Sequence, residues 1–415
     1  YKRQMEGYNK KVIMSYWTIC RMKTTKKIYV KVSIIFLLGG ILLFSSCEKE
    51  ENQKIEANRK TLFMYLPWSS NLTNYFYNNI SDLEKCITKI GLNNEKVIVF
   101  ISTGSTEAMM FEIVSSHGRC KREILKKYKS PPFTTIDGIT AILNDVKAFA
   151  PASVYTMIIG CHGMGWLPVY EMKVRSAPHM KMHWEYQGVP LTRYFGGLTA
   201  EYQTDIKSLA SGIANAGMKM EYILFDDCYM SSIEVAYELK DVTKYLIGST
   251  SEMMAYGMPY AAIGEYLLGN PDYQSGCEEF YNFYSTYEIM PCGTLAVTDC
   301  SELENMAAII KSINSKYSFD KSLRGTIQRL DGYTPVIFYD FADYITSLCN
   351  DPILLNQFRE QLNHLVPYKT HTKNFYTMAK GIIPINTFSG ITTSDPSDNP
   401  MTCLLYTSPS PRDTR

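Results

Sequence analysis

The sequence predicts an α/β protein built on a mostly parallel β-sheet with helices on both faces. Short apolar runs alternate with longer segments in which apolar residues recur at helical spacing, and Pro or Gly marks many of the boundaries. The order strand, helix, strand, helix is typical of a parallel sheet that is covered on both faces. In such sheets, active sites gather at the carboxyl ends of the strands.

The first half of the chain provides three predicted strands and two helices. The strands cover 61–66, 96–101 and 154–159, the helices cover 72–90 and 137–149, and a hairpin covers 109–114 with 121–127. The second helix presents one apolar face at the spacing of about 3.6 residues per turn that a covered helix requires. That face consists of Ile139, Ile142, Leu143, Val146 and Phe149.

The second half continues the alternation around a strand at 223–225. Ser231 and Glu234 have the spacing of a capping box, which predicts a helix through 235–239. Further helices are predicted at 204–216, 261–268, 301–313 and 352–365, and further strands at 245–249, 293–299 and 336–340. We expect residues 61–290 to form the main domain and residues 291–402 to be a C-terminal α+β extension of the same unit.

The N-terminal segment is typical of an exported protein. Four lysines precede an apolar run from Val32 to Phe44, and small residues follow it, as in a signal peptide. Residues 22–46 are therefore the expected signal and residues 1–21 upstream translation. The small residues before Cys47 resemble a bacterial lipobox, which predicts lipidation of Cys47, a linker over 47–60 and a membrane-anchored lipoprotein of the cell envelope. An ordinary cleaved signal and a secreted protein are the alternative.

The composition limits the classes of partner that the protein is expected to bind. The formal net charge is +1, so no global field would attract nucleic acid. The cysteines show no regular spacing, so we interpret most of them as free and buried. Residues 403–415 resemble a translated sequencing adapter, and a natural disordered tail is the alternative.

Two residues that carry chemistry follow apolar strands. His162-Gly163 follows the strand at 154–159, and Cys228 follows the strand at 223–225. If these strands are neighbours, their ends lie only about 5 Å apart. A cysteine at a strand end before a helix is a candidate nucleophile, whereas most lone cysteines are small buried hydrophobic residues.

The two strand ends, together with a later loop, resemble the clostripain family of cysteine peptidases, within the caspase, gingipain and legumain group. Phe225-Asp226-Asp227-Cys228-Tyr229-Met230 is similar to the family's Phe-Asp-Ala-Cys-x-Met segment. The stretch from Ser249 to Tyr260 resembles its Ser-x-x-Glu…Gly-x-Pro-Tyr loop. The similarity covers about residues 61–260 and implies a caspase-like fold and a cysteine endopeptidase.

The resemblance implies a Cys-His dyad without an obvious third member. Cys228 would attack the scissile carbonyl as a thiolate, and His162 would supply the proton to the departing amine. The backbone N–H groups of Gly163 and Cys228 would hold the oxyanion. Strand alternation places Asp226 on the face of Cys228 and Asp227 on the other face.

Substrate recognition by the family implies contacts from three residues of this chain. These are Asp226, Ser249 and Tyr256. Asp226 matches the family acid two residues before the cysteine and favours a basic P1 residue. Tyr256 stands where relatives often have a second acid, which weakens recognition of Arg or Lys. Structural bonding of Asp226 to backbone amides is the alternative.

The family resemblance also raises the questions of self-cleavage and of dependence on calcium. Several of them cut themselves between His and Cys, which predicts self-cleavage after Lys173, Arg175 or Lys181. Some depend on calcium, but no run of acids like an EF-hand occurs here, and no cofactor is firmly implied. Peptide or protein substrates are the expected partners, and we expect a monomer.

Two other classes of function remain open. One is a zinc site of Cys161, His162 and Cys228, although adjacent residues on a strand end point to opposite faces. The other is an inactive surface lipoprotein that binds peptides or glycans, for which the unusual Asp227 and Tyr256 would be the reason.

Overall fold

A central β-sheet organises the part of the chain that can be described. The computed structural model describes residues 58–167 and 202–395, and every structural statement below concerns these residues. The strands are β1 (Asn58–Leu66), β2 (Glu95–Ser102), β3 (Glu107–Ser116), β4 (Arg119–Lys129), β5 (Ala152–Ile159), β6 (Met220–Phe225), β7 (Thr243–Gly248), β8 (Thr294–Asp299), β9 (Tyr339–Asp340), β10 (Tyr368–His371), β11 (Asn374–Thr377), β12 (Gly381–Pro384) and β13 (Thr392–Thr393).

Helices connect most of these strands. They are α1 (Thr73–Ile90), α2 (Ile136–Phe149), α3 (Ile206–Asn215), α4 (Ile233–Leu239), α5 (Tyr260–Leu267), α6 (Tyr273–Ser285), α7 (Leu303–Asn314), α8 (Phe341–Leu348) and α9 (Pro352–Leu365). None of the helices within the described ranges is both long and apolar enough to cross a membrane.

The sheet has nine strands among the described residues, in the order β10-β8-β7-β6-β5-β1-β2-β3-β4. The five central strands, from β7 to β2, run parallel, and antiparallel strands complete both edges. Every residue of β2 from Val97 to Ser102 is buried, and since successive side chains point to opposite faces, both faces are covered there. The predicted fold, a mostly parallel sheet between helices, is confirmed.

The C-terminal part of the chain is joined to this sheet. β8 pairs with β7, and β10 pairs with β8, so residues beyond 290 complete one edge of the central sheet. Two helices, α6 and α8, were not expected from the sequence. The strand predicted at 336–340 shrinks to β9, which pairs with β13.

The predicted capping box at Ser231 and Glu234 is wrong by one residue at its first position. Helix α4 begins at Ile233, and its N-cap is Ser232, whose hydroxyl accepts a hydrogen bond from the N–H of Val235. The Ser231 hydroxyl instead donates to the carbonyl of Gly390, and a carboxylate oxygen of Glu234 accepts from the N–H of Ser394. The segment around Gly390 and Ser394 thus binds the two side chains that the sequence pattern had assigned to the helix cap.

Candidate active site

Three neighbouring strands end at the same level of the sheet. Tyr65 of β1 is paired with Ile159 of β5, and Ile159 is paired with Phe225 of β6. The loops that leave these strands therefore start side by side. Two of those loops carry His162 and Cys228, so the neighbouring strand ends that the sequence suggested are present in the structure.

Gly163 lies at the contact between the histidine loop and the cysteine loop. A Cβ atom at this position would meet the carbonyl oxygen of Cys228 at 2.3 Å and Cβ of Asp227 at 2.7 Å. Only glycine permits this approach, because real Cβ atoms do not come so near to backbone. The backbone directly after His162 is thereby held against Cys228.

The thiol of Cys228 has a backbone donor. The N–H of Met253, in the loop that follows β7, donates to Sγ of Cys228 at 3.1 Å. A hydrogen bond from N–H stabilises a thiolate more than a thiol, because the thiolate carries the full negative charge. Cys228 itself is 0% exposed. The loop after β7 thus supplies a backbone donor to this sulfur.

The residue after the cysteine adopts a rare backbone conformation. Tyr229 has φ of 62°, in the left-handed region that few non-glycine residues occupy. Its ring stacks on Phe338 with centroids 4.9 Å apart and planes at 10°. Its hydroxyl donates to Glu252 at 2.9 Å, and burial raises the pKa of Tyr229. These contacts hold the turn that places Cys228.

Glu252 connects the cysteine turn to the C-terminal segment. One of its carboxylate oxygens accepts from the hydroxyl of Tyr229, and the other accepts from the N–H of Met378 at 3.0 Å. The side chain is 4% exposed. Because Met253 follows Glu252 directly, the same carboxylate fixes the amide that faces Cys228.

His162 has a side-chain partner that the sequence did not suggest. Its Nε2 atom lies 2.9 Å from Oδ1 of Asn71, which belongs to the turn between β1 and α1. His162 is 7% exposed, whereas Asn71 is exposed. No motif marks Asn71, since it is one polar residue in a polar turn, and only the pairing of β1 with β5 reveals its position.

Asp227 braces the start of the histidine loop. Its carboxylate accepts from the N–H of Cys161 at 2.8 Å and from the thiol of Cys161 at 3.2 Å. Both residues line a cavity of about 90 Å³ that His162 and Gly163 also border. The family pattern has a small residue at the position of Asp227. In this chain the hydrogen bonds to Cys161 give the larger, acidic side chain a structural role.

Asp226 is engaged by the loop from Ser249 to Tyr260. Its carboxylate accepts from the N–H of Met258 at 2.8 Å and from the hydroxyl of Tyr260 at 2.9 Å, and it is 1% exposed. Cys228 contacts the same loop through Met253, whereas Asp227 contacts the other side. The alternation of faces along 226–228 is thus observed.

Ser249 and Tyr256 occupy different surroundings. The hydroxyl of Ser249 is fully buried and lies 2.8 Å from that of Thr294. Tyr256 is partly buried, stacks on Phe283 and donates its hydroxyl to Asp82 of α1 at 2.5 Å. Burial and this hydrogen bond raise the pKa of Tyr256. An acid thus stands next to Tyr256, although it comes from a helix far away in sequence.

Other predicted sites have no structural account. Cys47, Lys173, Arg175 and Lys181 lie outside the described residues. Within the described ranges, no group of three or more His, Cys, Asp or Glu residues is arranged to hold a metal ion. The zinc alternative therefore has no ligand cluster there.

The family assignment rests on the whole domain. The Peptidase_C11 model, described as the clostripain family, matches residues 64–383. The chain belongs to the clostripain family. As a member it is a cysteine peptidase with a caspase-like α/β fold, which confirms the resemblance read from the sequence.

Solved structures agree with the family model. A secreted C11 cysteine protease from Bacteroides thetaiotaomicron, "iotapain", is 58% identical, with a TM-score of 0.76 over 83% of this chain and 95% of that chain. An inactive zymogen C11 protease from Parabacteroides distasonis is 25% identical, with a TM-score of 0.69 over 84% of this chain and 95% of that chain. Among curated proteins, no match was found.

Proposed function

We propose that this clostripain-family peptidase is an endopeptidase whose catalytic dyad is Cys228 and His162. The observation that carries this proposal is the approach of Gly163 to the Cys228 carbonyl, which a Cβ atom would block at 2.3 Å. The thiolate of Cys228 adds to the scissile carbonyl, and the N–H groups of Gly163 and Cys228 stabilise the oxyanion. His162 protonates the leaving amine as the C–N bond breaks, and water then hydrolyses the acyl-enzyme.

A basic P1 residue is the proposed preference, and Asp226 is its main determinant. The N–H of Met258 and the hydroxyl of Tyr260 hold its carboxylate in place through hydrogen bonds. A guanidinium or ammonium group entering beside Cys228 would form charge-assisted hydrogen bonds with this carboxylate. Tyr256 belongs to the same loop, and we propose that Ser249 supports the loop through its hydrogen bond to Thr294.

One experiment separates this function from its alternatives. Wild type and Cys228→Ala are incubated with a mixed peptide library and a thiol reductant, with and without calcium. Cleavage by wild type alone, after Arg or Lys, is expected. Binding of peptides or glycans without cleavage by either protein would favour the inactive lipoprotein, and zinc in a metal assay would favour the zinc site. Activity only with calcium would assign the cation a role.

We also propose self-cleavage between the two members of the dyad. The segment that separates His162 from Cys228 contains Lys173, Arg175 and Lys181, which fit the proposed P1 preference. Intact mass and N-terminal sequencing of active wild type should give two chains. The Lys173→Ala, Arg175→Ala, Lys181→Ala triple variant should remain one chain, and a single uncut chain in active wild type would end this idea.

Export and anchoring complete the proposal. The relative named iotapain is described as secreted, which supports export of this chain. We propose a lipid anchor at Cys47, reached through the signal over 22–46. Metabolic labelling with a radioactive fatty acid should mark wild type but not Cys47→Ala, and unlabelled wild type in the medium would favour simple secretion.

A further inference from the structure

The turn between β1 and α1 adds a third side chain to the two strand ends of the proposed dyad. The sheet places β1 beside β5 and β5 beside β6, so the loops carrying Asn71, His162 and Cys228 leave neighbouring strands in that order. Oδ1 of Asn71 lies 2.9 Å from Nε2 of His162. We propose that Asn71 is a positioning residue that fixes the tautomer and the orientation of His162. This inference rests on the proposed dyad.

The chemistry of the two groups determines the direction of the bond. An amide oxygen is an acceptor only, so the ring nitrogen that faces it must carry a hydrogen. With N–H on Nε2, the lone pair of the neutral ring is on Nδ1, which is then the atom that receives the thiol proton. Nδ1 is buried within the protein. Asn71 thus makes the buried Nδ1 the proton-accepting nitrogen of the neutral ring.

The same bond favours the charged form of the ring. An imidazolium N–H is a stronger donor than the N–H of a neutral imidazole, so an acceptor at Nε2 stabilises the cation more. The ion pair of thiolate and imidazolium is the reactive form of a Cys-His dyad. Asn71 therefore extends the alkaline range over which His162 stays protonated.

The experiment compares pH profiles of purified active enzyme. We measure kcat and KM against pH for wild type, Asn71→Ala and Asn71→Asp with a peptide substrate that wild type cleaves. Asn74→Ala and Asn74→Asp are the matched controls, because Asn74 is an exposed asparagine in the first turn of α1. Thermal unfolding of each variant reports whether it is folded.

Asn71→Ala should lower kcat by about tenfold with little change in KM, which is the effect of losing one hydrogen bond. In the plot of kcat against pH, the fall in activity on the alkaline side should move to lower pH; this part of the profile is called the alkaline limb. Asn71→Asp keeps the size of the side chain and adds a charge, so its alkaline limb should move upward by about one pH unit at low salt and by less at high salt. The Asn74 variants should overlay wild type.

Two results would overturn the inference while the proposed function stands, and a third would remove both. If wild type cleaves peptides and both Asn71 variants keep its alkaline limb, then Asn71 does not act on His162, whatever happens to the rate. If the alkaline limb shifts equally in Asn74→Asp and Asn71→Asp, the shift comes from the added charge in general and not from the contact between Asn71 and His162. Wild type without turnover would remove the proposed function and this inference with it. Should Asn71→Ala fail to fold, the limb of Asn71→Asp decides.

Discussion

The N–H of Met253 donates a hydrogen bond to Sγ of Cys228 at 3.1 Å. This contact joins the loop after β7 to the proposed nucleophile, which follows β6. The preceding residue, Glu252, binds Tyr229 and Met378, so the position of the donor depends on a carboxylate that reaches both the cysteine turn and the C-terminal segment. Replacing that carboxylate should therefore affect stability and turnover together.

Glu252→Ala should destabilise the fold by about 3 kcal/mol, because a buried phenol and a buried N–H would both lose their acceptor. It should also lower kcat more than it raises KM, since the Met253 amide loses its support. Urea unfolding and steady-state kinetics measure both effects. Glu278→Ala is the control, because Glu278 is exposed on α6. Unchanged kinetics in a folded Glu252→Ala protein would contradict the role of the loop.

Gly163→Ala should abolish peptide cleavage. Its methyl group would meet the Cys228 carbonyl at 2.3 Å, so one of the two loops must move and the oxyanion site would be lost. Gly104→Ala is the matched control, because nothing lies within 4 Å of a Cβ atom there. Cleavage assays and circular dichroism on both variants separate loss of the site from loss of the fold. Near-normal activity in Gly163→Ala would refute the close approach.

The stability of the protein should fall between about pH 4.5 and pH 7 because of Glu234. Burial raises the pKa of Glu234 from 4.5 to about 7. In this window the folded protein binds more protons than the unfolded chain, so the free energy of unfolding decreases as pH rises and is level again above the folded pKa. The full difference is about 3 kcal/mol. Urea unfolding of wild type at several pH values measures it.

Glu234→Gln provides the comparison for that pH dependence. Its amide oxygen can still accept from Thr393 and Ser394, the partners of Glu234 at 3.2 and 2.9 Å. The neutral amide removes the proton linkage, so the pH dependence of stability should be flatter in this window. Parallel curves for the two proteins would show that Glu234 titrates normally.

Tyr256→Asp should sharpen the preference for a basic P1 residue. A second carboxylate near Asp226 would add charge attraction for Arg or Lys. We expect the ratio of kcat/KM for Arg over a neutral P1 residue to rise about tenfold, which corresponds to about 1.4 kcal/mol. Tyr256→Phe, which removes the bond to Asp82 without adding charge, should leave the ratio near that of wild type. A lower ratio in Tyr256→Asp would place the pocket elsewhere.

The sequence predicted the elements whose evidence is local. Apolar runs marked β1, β2, β5 and β6, and helical spacing marked α2 and α9 almost to the residue. The two loops at neighbouring strand ends followed from the parallel order, because such strands end at a common edge. The motifs that resemble the clostripain family mark His162 and Cys228 as the candidate dyad.

What the sequence could not predict depends on contacts between distant segments. Asn71 reaches His162 only because β1 pairs with β5, and Asp82 reaches Tyr256 only because α1 packs against α5. The N-cap of α4 is Ser232 and not Ser231, because the Ser231 hydroxyl binds Gly390 and the Glu234 carboxylate binds Ser394. Spacing within one segment carries no information about such partners.

The turn that follows Cys228 is stabilised largely by residues that lie far downstream and are therefore synthesised later. Phe338 stacks on Tyr229, Met378 binds Glu252, and Thr392 donates from its backbone to Ser231. A ribosome that has just released Cys228 from its exit tunnel has still to add all of these residues. The nascent chain therefore lacks the groups that fix its nucleophile, and we expect proteolysis to begin only when synthesis of this domain is nearly complete.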